Sequence, residues 1–402
     1  MATQHVARRH KEEVLRRLKQ VPAVALLGQP QTGKTAIGRA IAAEANGIYL
    51  DCQDWETGKM LAGGGLREFA VRNAGKLIVL DEFHQQMGLL EDLSGAIDEH
   101  RREGTGNGCF LLLGYGSIRD ANRADASLEG RVSCVQLNPL DVLDLSGAGE
   151  EEVEMLWLRG GLPASFAAAD DASSFEIRSD LNRNILSDEI IEEGMRVGYT
   201  QLRKLSVLLA HSQGRPLNVM EICRIMTLNP RTVRKFVDGH RKRLLARALP
   251  AYYRHAKKRL KNTPKFYYRD SGLLHELLGV KTAAALKAHE MAAMSWEGFV
   301  IENILCQLPE EAAARASYYG AAGGAEVDLV IERPGIGLWA IEIKKSVKRA
   351  PSRGFHSACR DLEPARRFVV HGGSLGCYKD RNGVEHMSLP DMCREAAAAF
   401  AP

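Results

Sequence analysis

The feature that most constrains the fold of this chain is a glycine-rich loop between an apolar strand and a helix. The loop follows the apolar run Val24–Leu27 and precedes a helical stretch that begins near Ala36. Its glycines let backbone N–H groups wrap around phosphate oxygens, and the helix start presents its positive end to them. We therefore predict a phosphate-binding loop formed by Gly28, Gln29, Pro30, Gln31, Thr32, Gly33, Lys34 and Thr35. Ala36, the next residue, is also predicted to contact the nucleotide.

A second apolar strand ends in two carboxylates that suit magnesium-dependent phosphoryl chemistry. The run Leu77–Leu80 is followed directly by Asp81 and Glu82. With ATP bound, Lys34 would reach the β- and γ-phosphates, while Thr35 and Asp81 would hold Mg²⁺. Glu82 would polarise the attacking water. This arrangement predicts an ATP hydrolase with ATP and Mg²⁺ as cofactors.

Two further residues are candidates for the nucleotide site. Ser117 follows the strand candidate Phe110–Leu113 and is placed to contact the γ-phosphate or the attacking water; an ordinary loop serine is the alternative. Arg131 suits the charge that develops on a transferring phosphoryl group. It could act in its own site or in that of a neighbouring subunit, and an ordinary surface arginine is the alternative.

The order of apolar and helical stretches predicts an α/β chain of several domains. Strands that alternate with helices favour a parallel sheet, and continuous apolar runs are typical of strands covered on both faces. We predict a P-loop ATPase domain with a leading helix (1–145), a helical lid or linker (146–198), a basic winged-helix-like domain (199–282) and a C-terminal α/β domain (283–402). The alanine-rich stretch Ala283–Ala293 is predicted to be a linker. The strand candidates of the first domain are Val24–Leu27, Gly47–Leu50, Leu77–Leu80 and Phe110–Leu113.

Composition indicates the compartment. The eight cysteines include no pair with the two-residue spacing of a zinc or redox motif, so they are predicted to be reduced. No apolar stretch approaches the ~20 residues of a membrane span, and the N-terminus lacks the apolar core of a signal peptide. We expect a soluble, cytoplasmic protein with no membrane partner.

The middle of the chain carries a basic helix-turn-helix pattern. Two amphipathic helices are predicted between Asn218 and Arg243, broken at Pro230. From Arg231 to Arg269 the chain has 14 lysines and arginines and a single acid, which is typical of a segment that binds a phosphate backbone. The alternative is a module that packs on the ATPase and exposes a solvated basic face. The predicted contacts are Arg231, Arg234, Lys235, Arg241, Lys242, Lys257, Lys258 and Arg259.

The last domain carries a second set of carboxylates. Asp328 lies in one predicted strand, and the next strand ends in Glu342-Ile343-Lys344. Strand alternation places Glu342 and Lys344 on one face, which Asp328 can meet from the neighbouring strand. Asp328, Glu342 and a backbone carbonyl such as that of Ile343 could hold Mg²⁺ or Mn²⁺, with Glu297 from the preceding helix to complete the site. Lys344 could orient or activate water for phosphodiester hydrolysis. The pattern is that of the PD-(D/E)xK nuclease fold.

The serial order of these motifs resembles a known family. It is similar to bacterial and archaeal ATP-binding proteins with an AAA-type N-terminal domain and a C-terminal, restriction-endonuclease-like domain formerly of unknown function. The resemblance covers nearly the whole chain and implies this architecture and ATP binding. The residues that carry it are Gly28–Thr35, Leu80–Glu82, Ser127–Arg131, Leu158–Pro163, Leu209–Gly214, Pro264–Lys265, Arg269–Leu274, Trp296–Val300, Glu326–Leu329 and Glu342–Lys344.

The combined pattern favours an ATPase that binds and remodels DNA, by translocation or by branch migration on structured DNA, and it leaves open whether the last domain also cleaves DNA with a metal ion. We expect DNA as a partner and a homo-oligomeric assembly. A signalling switch is the rival, in which the ATPase gates a regulator and the nuclease-like domain is an inactive binding module. A third hypothesis is a nuclease that uses ATP only for assembly.

Overall fold

The structure is a computed structural model that describes residues 9–85, 88–102, 104, 106–115, 130–145, 147, 149–192, 197–253, 263–321, 323–333, 335–347, 350–373 and 376–400. The chain divides into two compact units, Met1–Pro139 with Lys242–Leu244, and Leu140–Arg241 with Leu245–Pro402. No helix among the described residues is long and apolar enough to span a membrane.

The first unit is built on a five-stranded parallel sheet with the order β2-β3-β4-β1-β5. Strand β4 therefore lies between β1, which precedes the glycine loop, and β3, which ends at Asp81. Its elements are α1 (Arg9–Leu18), β1 (Ala23–Leu27), α2 (Lys34–Glu44), β2 (Ile48–Asp51), α3 (Trp55–Leu61), α4 (Gly65–Arg72), β3 (Ile78–Asp81), a 3₁₀ turn (Phe83–Gln85), α5 (Leu89–Arg102), β4 (Phe110–Gly114) and β5 (Val132–Gln136).

Alternating strand residues pack into two hydrophobic cores, one on each face of this sheet. Val24 and Leu26 pack on one face with α2, whereas Ala25 and Leu27 pack on the other with α4 and α5. This double burial explains the continuous apolar runs, and the four predicted strands are confirmed. Strand β5 was not predicted from the sequence, because it alternates polar and apolar residues at the edge of the sheet.

The second unit begins with helices and a small antiparallel sheet of order β6-β8-β7. Helices α10 and α11 confirm the predicted helix pair. The Asn229 side chain accepts a hydrogen bond from the Thr232 backbone N–H at the start of α11. These elements are α6 (Glu150–Arg159), α7 (Pro163–Phe166), α8 (Asp171–Glu192), α9 (Tyr199–Ala210), β6 (Arg215–Pro216), α10 (Val219–Met226), α11 (Pro230–Lys242), β7 (Ala246–Leu249), β8 (Lys265–Tyr268) and α12 (Ser271–Leu277).

Two glycine-containing motifs of the second unit interlock through a buried aspartate. Asp270 accepts hydrogen bonds from the backbone N–H groups of Gly161 (2.8 Å) and Leu273 (2.9 Å). A β-carbon at Gly160 would collide with the Asp270 carboxylate, and Gly160 also has a φ of 78°. A β-carbon at Gly272 would collide with a backbone carbonyl in the same way. Close backbone packing therefore accounts for these glycines.

A mixed six-stranded sheet completes the second unit, with the order β13-β14-β12-β11-β10-β9. Strands β10 and β11 form the predicted antiparallel hairpin, whereas β11, β12 and β14 run parallel. Helix α16 packs on one face, and α14 and α17 on the other. The elements are α13 (Ala283–Ala288), α14 (Ala292–Leu305), α15 (Glu310–Arg315), β9 (Ser317–Gly320), β10 (Glu326–Arg333), β11 (Gly337–Lys344), α16 (Arg353–Leu362), β12 (Arg366–His371), β13 (Tyr378–Lys379), β14 (Glu385–Ser388) and α17 (Leu389–Ala399).

The predicted linker Ala283–Ala293 is wrong. Most of it is helical, and α13 buries Leu286 after an N-terminal cap from the Thr282 side chain. Alanine is the strongest helix former, so an alanine-rich stretch with one apolar anchor forms a packed helix. Buried ion pairs from Glu302 of α14 to Arg247 and Arg269 also tie the small antiparallel sheet to the C-terminal segment.

Candidate nucleotide site and C-terminal carboxylate centre

The glycine loop adopts a tight conformation at the carboxyl end of β1. Gly33 has a φ of 95° immediately before α2, and Gln31 also takes a left-handed conformation, with a φ of 65°. A β-carbon on Gly28 would collide with the carbonyl oxygen of Leu137. Glycine is therefore required at Gly28 by packing and at Gly33 by backbone conformation.

The loop lysine lies against the loop itself. The Lys34 ammonium donates hydrogen bonds to the carbonyl oxygens of Gly28 (3.2 Å) and Gln29 (3.0 Å) and is almost fully buried. Thr32 also donates to the Gln29 carbonyl. Burial lowers the pKa of Lys34, while the nearby carboxylates of Glu82 and Asp81 oppose that shift. The loop thus concentrates positive charge where phosphate groups would bind.

Asp81, at the end of β3, is hydrogen-bonded to the first turn of α2. Its Oδ2 atom accepts a hydrogen bond from the Thr35 hydroxyl at 2.7 Å, so the structure brings together the two predicted magnesium ligands. The hydroxyl and carboxylate oxygens fit the preference of Mg²⁺ for oxygen donors. The backbone N–H of Glu82 donates to the other carboxylate oxygen of Asp81 at 3.0 Å.

Tyr49 of β2 is a site residue that the sequence did not reveal. Its hydroxyl donates to the same Oδ2 atom of Asp81 at 2.5 Å, and the guanidinium of Arg39 lies 4.7 Å from its ring centroid. Burial and the hydrogen bond to Asp81 raise the pKa of Tyr49 to about 12. The hydroxyl therefore remains a hydrogen-bond donor at neutral pH. Only the parallel pairing of β2 and β3 places it there.

Glu82 is held in a left-handed conformation, with a φ of 51°. A non-glycine residue there is strained, and such strain is common where a side chain must point into a site. The Nε2 atom of the His84 ring lies 3.4 Å from Glu82 Oε2. The His84 ring also packs against Tyr115 at 3.9 Å between centroids. Sequence reasoning did not identify either ring.

The two remaining candidates have different outcomes. Ser117 lies outside the described residues.

Arg131 precedes β5, and β5 pairs in parallel with β1 such that Val132 lies beside Ala23. Arg131 is therefore at the amino end of the sheet, whereas the phosphate loop is at the carboxyl end. It forms an ion pair with Asp98 at 3.1 Å. The interpretation that Arg131 serves its own subunit's site is wrong, because the length of the sheet separates them.

The C-terminal carboxylates lie in the β10–β11 hairpin and on α14. Lys344 forms a 2.7 Å ion pair with Glu342, which confirms that these side chains share a face. Glu342 is buried and also accepts hydrogen bonds from the Ser352 backbone N–H at 3.0 and 3.2 Å. Asp328 accepts a hydrogen bond from the Ile343 backbone N–H at 2.8 Å. Burial and the neighbouring carboxylate of Glu297 raise the pKa of Asp328.

Two residues of β8 enter this centre and were not predicted as site residues. The Lys265 ammonium pairs with Glu297 at 3.3 Å, and the Tyr267 hydroxyl donates to Glu297 at 2.5 Å. Burial would lower the pKa of Lys265, but the carboxylates around it raise the pKa overall. The pKa of Tyr267 is raised well above its usual value by burial and by Glu297.

The carboxylates do not form a metal site in this arrangement. Among the described residues, no group of three or more histidine, cysteine, aspartate or glutamate side chains is placed to hold a metal ion. Glu297 faces Lys265 and Tyr267, whereas Glu342 faces Lys344 and the backbone of Ser352. The side chains of Glu297, Asp328 and Glu342 therefore do not converge as a three-carboxylate metal site in this arrangement.

The basic helix α11 separates an apolar face from a charged one. Val233 and Phe236 are buried in the core, as predicted. Asp238 lies on the charged face and pairs with Arg241 at 3.4 Å. The predicted contacts Lys257, Lys258 and Arg259 lie outside the described residues. The predicted contacts of the helix are all exposed, and they are Arg231, Arg234, Lys235, Arg241 and Lys242.

The sheet order, the glycine loop and the Asp81–Glu82 pair define an AAA-type P-loop ATPase domain. In agreement, the family described as an AAA domain matches residues 20–145. Two domains of unknown function, DUF8612 and DUF4143, match residues 150–284 and 292–392. The chain is 32% identical over 369 residues to the uncharacterized proteins Rv2008c of Mycobacterium tuberculosis and Mb2031c of Mycobacterium bovis, which covers 92% of this chain and 80% of each relative. The chain belongs to the family of these proteins.

Solved structures with some likeness to the chain include a Walker-type ATPase and a protein in complex with DNA. The Walker-type ATPase PABY2304 of Pyrococcus abyssi is 14% identical with a TM-score of 0.46, covering 68% of this chain and 96% of that one. The Aeropyrum pernix ORC1 protein in complex with DNA is 16% identical with a TM-score of 0.33, covering 70% of this chain and 96% of that one. At these TM-scores the likeness adds nothing to the fold described above.

Proposed function

We propose that the protein is a Mg²⁺-dependent ATPase whose turnover is coupled to binding and remodelling of DNA. The observation that carries the ATPase assignment is the 2.7 Å hydrogen bond from Thr35 to Asp81 beside the phosphate loop. When bound, Mg²⁺ would neutralise the charge on the phosphates. Thr35 and Asp81 would hold it, Lys34 would bind the phosphates, and Glu82 would orient water.

Arg131 suits a role between subunits. It lies at the amino end of the sheet, whereas its own phosphate loop lies at the carboxyl end. A guanidinium at the phosphate loop of a neighbouring subunit could stabilise a transferring phosphoryl group. Its present partners, Asp98 and Ser94, belong to α5. We propose a homo-oligomer in which Arg131 exchanges these partners for the nucleotide of the adjacent subunit.

DNA binding is assigned to the basic face of α11. The order α9-β6-α10-α11-β7-β8 supports a winged-helix-like module, a fold in which the third helix commonly contacts nucleic acid. Three of its exposed cations, Arg231, Arg234 and Lys235, lie in the first turns of the helix. Contacts of this kind are mostly to phosphates, so affinity should fall steeply with salt.

The C-terminal segment is proposed to be a PD-(D/E)xK-like domain that contributes to binding and does not cut DNA in its resting form. Its hairpin β10–β11, followed by α16 and the parallel strand β12, supports the nuclease-like fold. The arrangement around Glu297 does not favour metal-dependent cleavage, because that carboxylate is engaged by Lys265 and Tyr267.

The test is ATP turnover in the presence of a panel of DNAs: single strand, duplex, fork and four-way junction. We expect at least one DNA to stimulate turnover, and the stimulation to decrease as salt is raised. In the triple variant Arg231→Glu, Arg234→Glu, Lys235→Glu, turnover without DNA should be retained and stimulation lost. A matched triple variant on another exposed surface, Arg67→Glu, Arg72→Glu and Arg102→Glu, should be stimulated like the wild type.

The outcomes separate the rival functions. Turnover that is indifferent to every DNA would contradict DNA coupling and favour the ATP-gated signalling switch. Stimulation that survives the α11 triple variant would contradict the assigned surface. Products cut from the DNA, lost in Asp328→Ala, would contradict a non-cleaving C-terminal domain.

A further inference from the structure

A buried lysine lies among the carboxylates of the C-terminal centre. The Lys265 ammonium is 3.0 Å from Glu326 Oε1 and 3.3 Å from Glu297 Oε1. It also lies 5.1 Å from the ring centroid of Tyr318. Only 6% of Lys265 is exposed, so its charge is compensated by protein groups rather than by water. It is therefore a fixed internal cation.

Strand β8 is built to present this lysine. Lys265 and Tyr267 are two residues apart, so they point to the same side of the strand, and both contact Glu297. Helix α14 approaches β8 closely at Gly298, where a β-carbon would meet the Tyr267 ring at 3.0 Å. The absence of a side chain at Gly298 thus permits the close packing of α14 on β8 that places the Glu297 carboxylate beside the Lys265 ammonium.

The Lys265 ammonium engages a carboxylate that a metal ion in this centre would use, namely Glu297. A divalent cation bound by Glu297 would have to share its carboxylate with the ammonium, which lies 3.3 Å from Glu297 Oε1. Displacing the ammonium would leave an uncompensated buried charge, which is strongly unfavourable. Lys265 is itself buried and lies between Glu297 and Glu326, so a cation at Glu297 would meet the ammonium.

We propose that Lys265 is a resident cation that takes the place of a divalent metal in the C-terminal carboxylate centre. The centre then binds neither Mg²⁺ nor Mn²⁺ while β8 is in place, and removal of the lysine creates a metal site that uses Glu297 and Asp328. This inference concerns a centre remote in sequence from the phosphate loop and does not rest on the proposed ATPase function.

The experiment is a Mn²⁺ titration of the full chain without nucleotide, with free Mn²⁺ measured by electron paramagnetic resonance. Lys265→Met should gain one Mn²⁺ site per chain that the wild type lacks, because one positive charge beside the carboxylates is removed. Adding Asp328→Asn to Lys265→Met should abolish the gain. The control Lys345→Met removes a different, partly buried lysine, which pairs with Glu154 at 3.0 Å. This variant should bind Mn²⁺ like the wild type.

A second comparison needs no change at Lys265. The wild type and Asp328→Asn should bind the same amount of Mn²⁺, since the lysine keeps metal out of both. A Mn²⁺ ion on the wild type that Asp328→Asn removes would overturn the proposal. A folded Lys265→Met variant, judged by circular dichroism, that gains no Mn²⁺ would overturn it as well.

Discussion

Replacing Tyr49 by phenylalanine tests how the carboxylate of Asp81 is positioned. The Tyr49 hydroxyl donates to Asp81 Oδ2 at 2.5 Å, and the Thr35 hydroxyl donates to the same atom at 2.7 Å. Phenylalanine keeps the ring over which Arg39 lies and removes only the hydroxyl. The change therefore removes the hydrogen bond to the predicted magnesium ligand together with the hydrogen bond between the hydroxyl and Arg39.

The size of the effect follows from the chemistry of that bond. A hydrogen bond to a charged group contributes about 1.5–3 kcal/mol. Asp81 retains the donors of Thr35 and the Glu82 backbone, so we take the lower end of that range. A loss of about 1.4 kcal/mol in transition-state stabilisation corresponds to about a tenfold fall in kcat/KM for ATP.

The assay is steady-state ATP hydrolysis with Mg²⁺, and a matched control lies in the other unit. Tyr319 donates to Asp361 at 3.0 Å, and Tyr319→Phe makes the same chemical change away from the nucleotide. We expect Tyr49→Phe to lose about tenfold in kcat/KM and Tyr319→Phe to keep it. Unchanged kcat/KM in Tyr49→Phe would refute the role of Tyr49 in holding Asp81.

Three further predictions follow from packing and charge. Gly28→Ala should weaken binding of a fluorescent ATP analogue by at least about tenfold, because the added methyl group would displace the loop from Leu137. Asp270→Ala should lower the free energy of unfolding in urea by about 2–6 kcal/mol, since two buried N–H groups lose their acceptor. Burial alone would raise the pKa of Glu302, but Arg247 and Arg269 lower it to about 2. Its contribution to stability is therefore present above the unfolded pKa of about 4.3 and lost as pH falls toward 2. Glu302→Gln should remove that part of the acid sensitivity of the melting temperature.

The phosphate loop and its carboxylates could be predicted because their function constrains local sequence. The tight loop requires glycine at Gly28 for packing and at Gly33 for its left-handed backbone, and buried parallel strands require apolar runs such as Leu77–Leu80. The same reasoning located Glu342 and Lys344, which alternate on one strand. In each case a short window of sequence contains the whole signal.

The residues that were missed act over long sequence distances. Tyr49 reaches Asp81 only through the pairing of β2 with β3, and Lys265 reaches Glu297 only through the packing of β8 on α14. Neither residue carries a local pattern that separates it from any other strand residue. The error at Ala283–Ala293 has a different cause, since alanine content alone does not distinguish a linker from a short packed helix.

The central claim is hydrolysis of ATP at the phosphate loop with Glu82 orienting the water. The most direct test measures binding and turnover of ATP by the wild type and Glu82→Gln in parallel preparations. We predict that Glu82→Gln binds Mg²⁺–ATP with an affinity close to that of the wild type and barely hydrolyses it, because the amide cannot accept a proton from water. Wild-type turnover by Glu82→Gln, or no turnover by either protein with any DNA, would contradict the account.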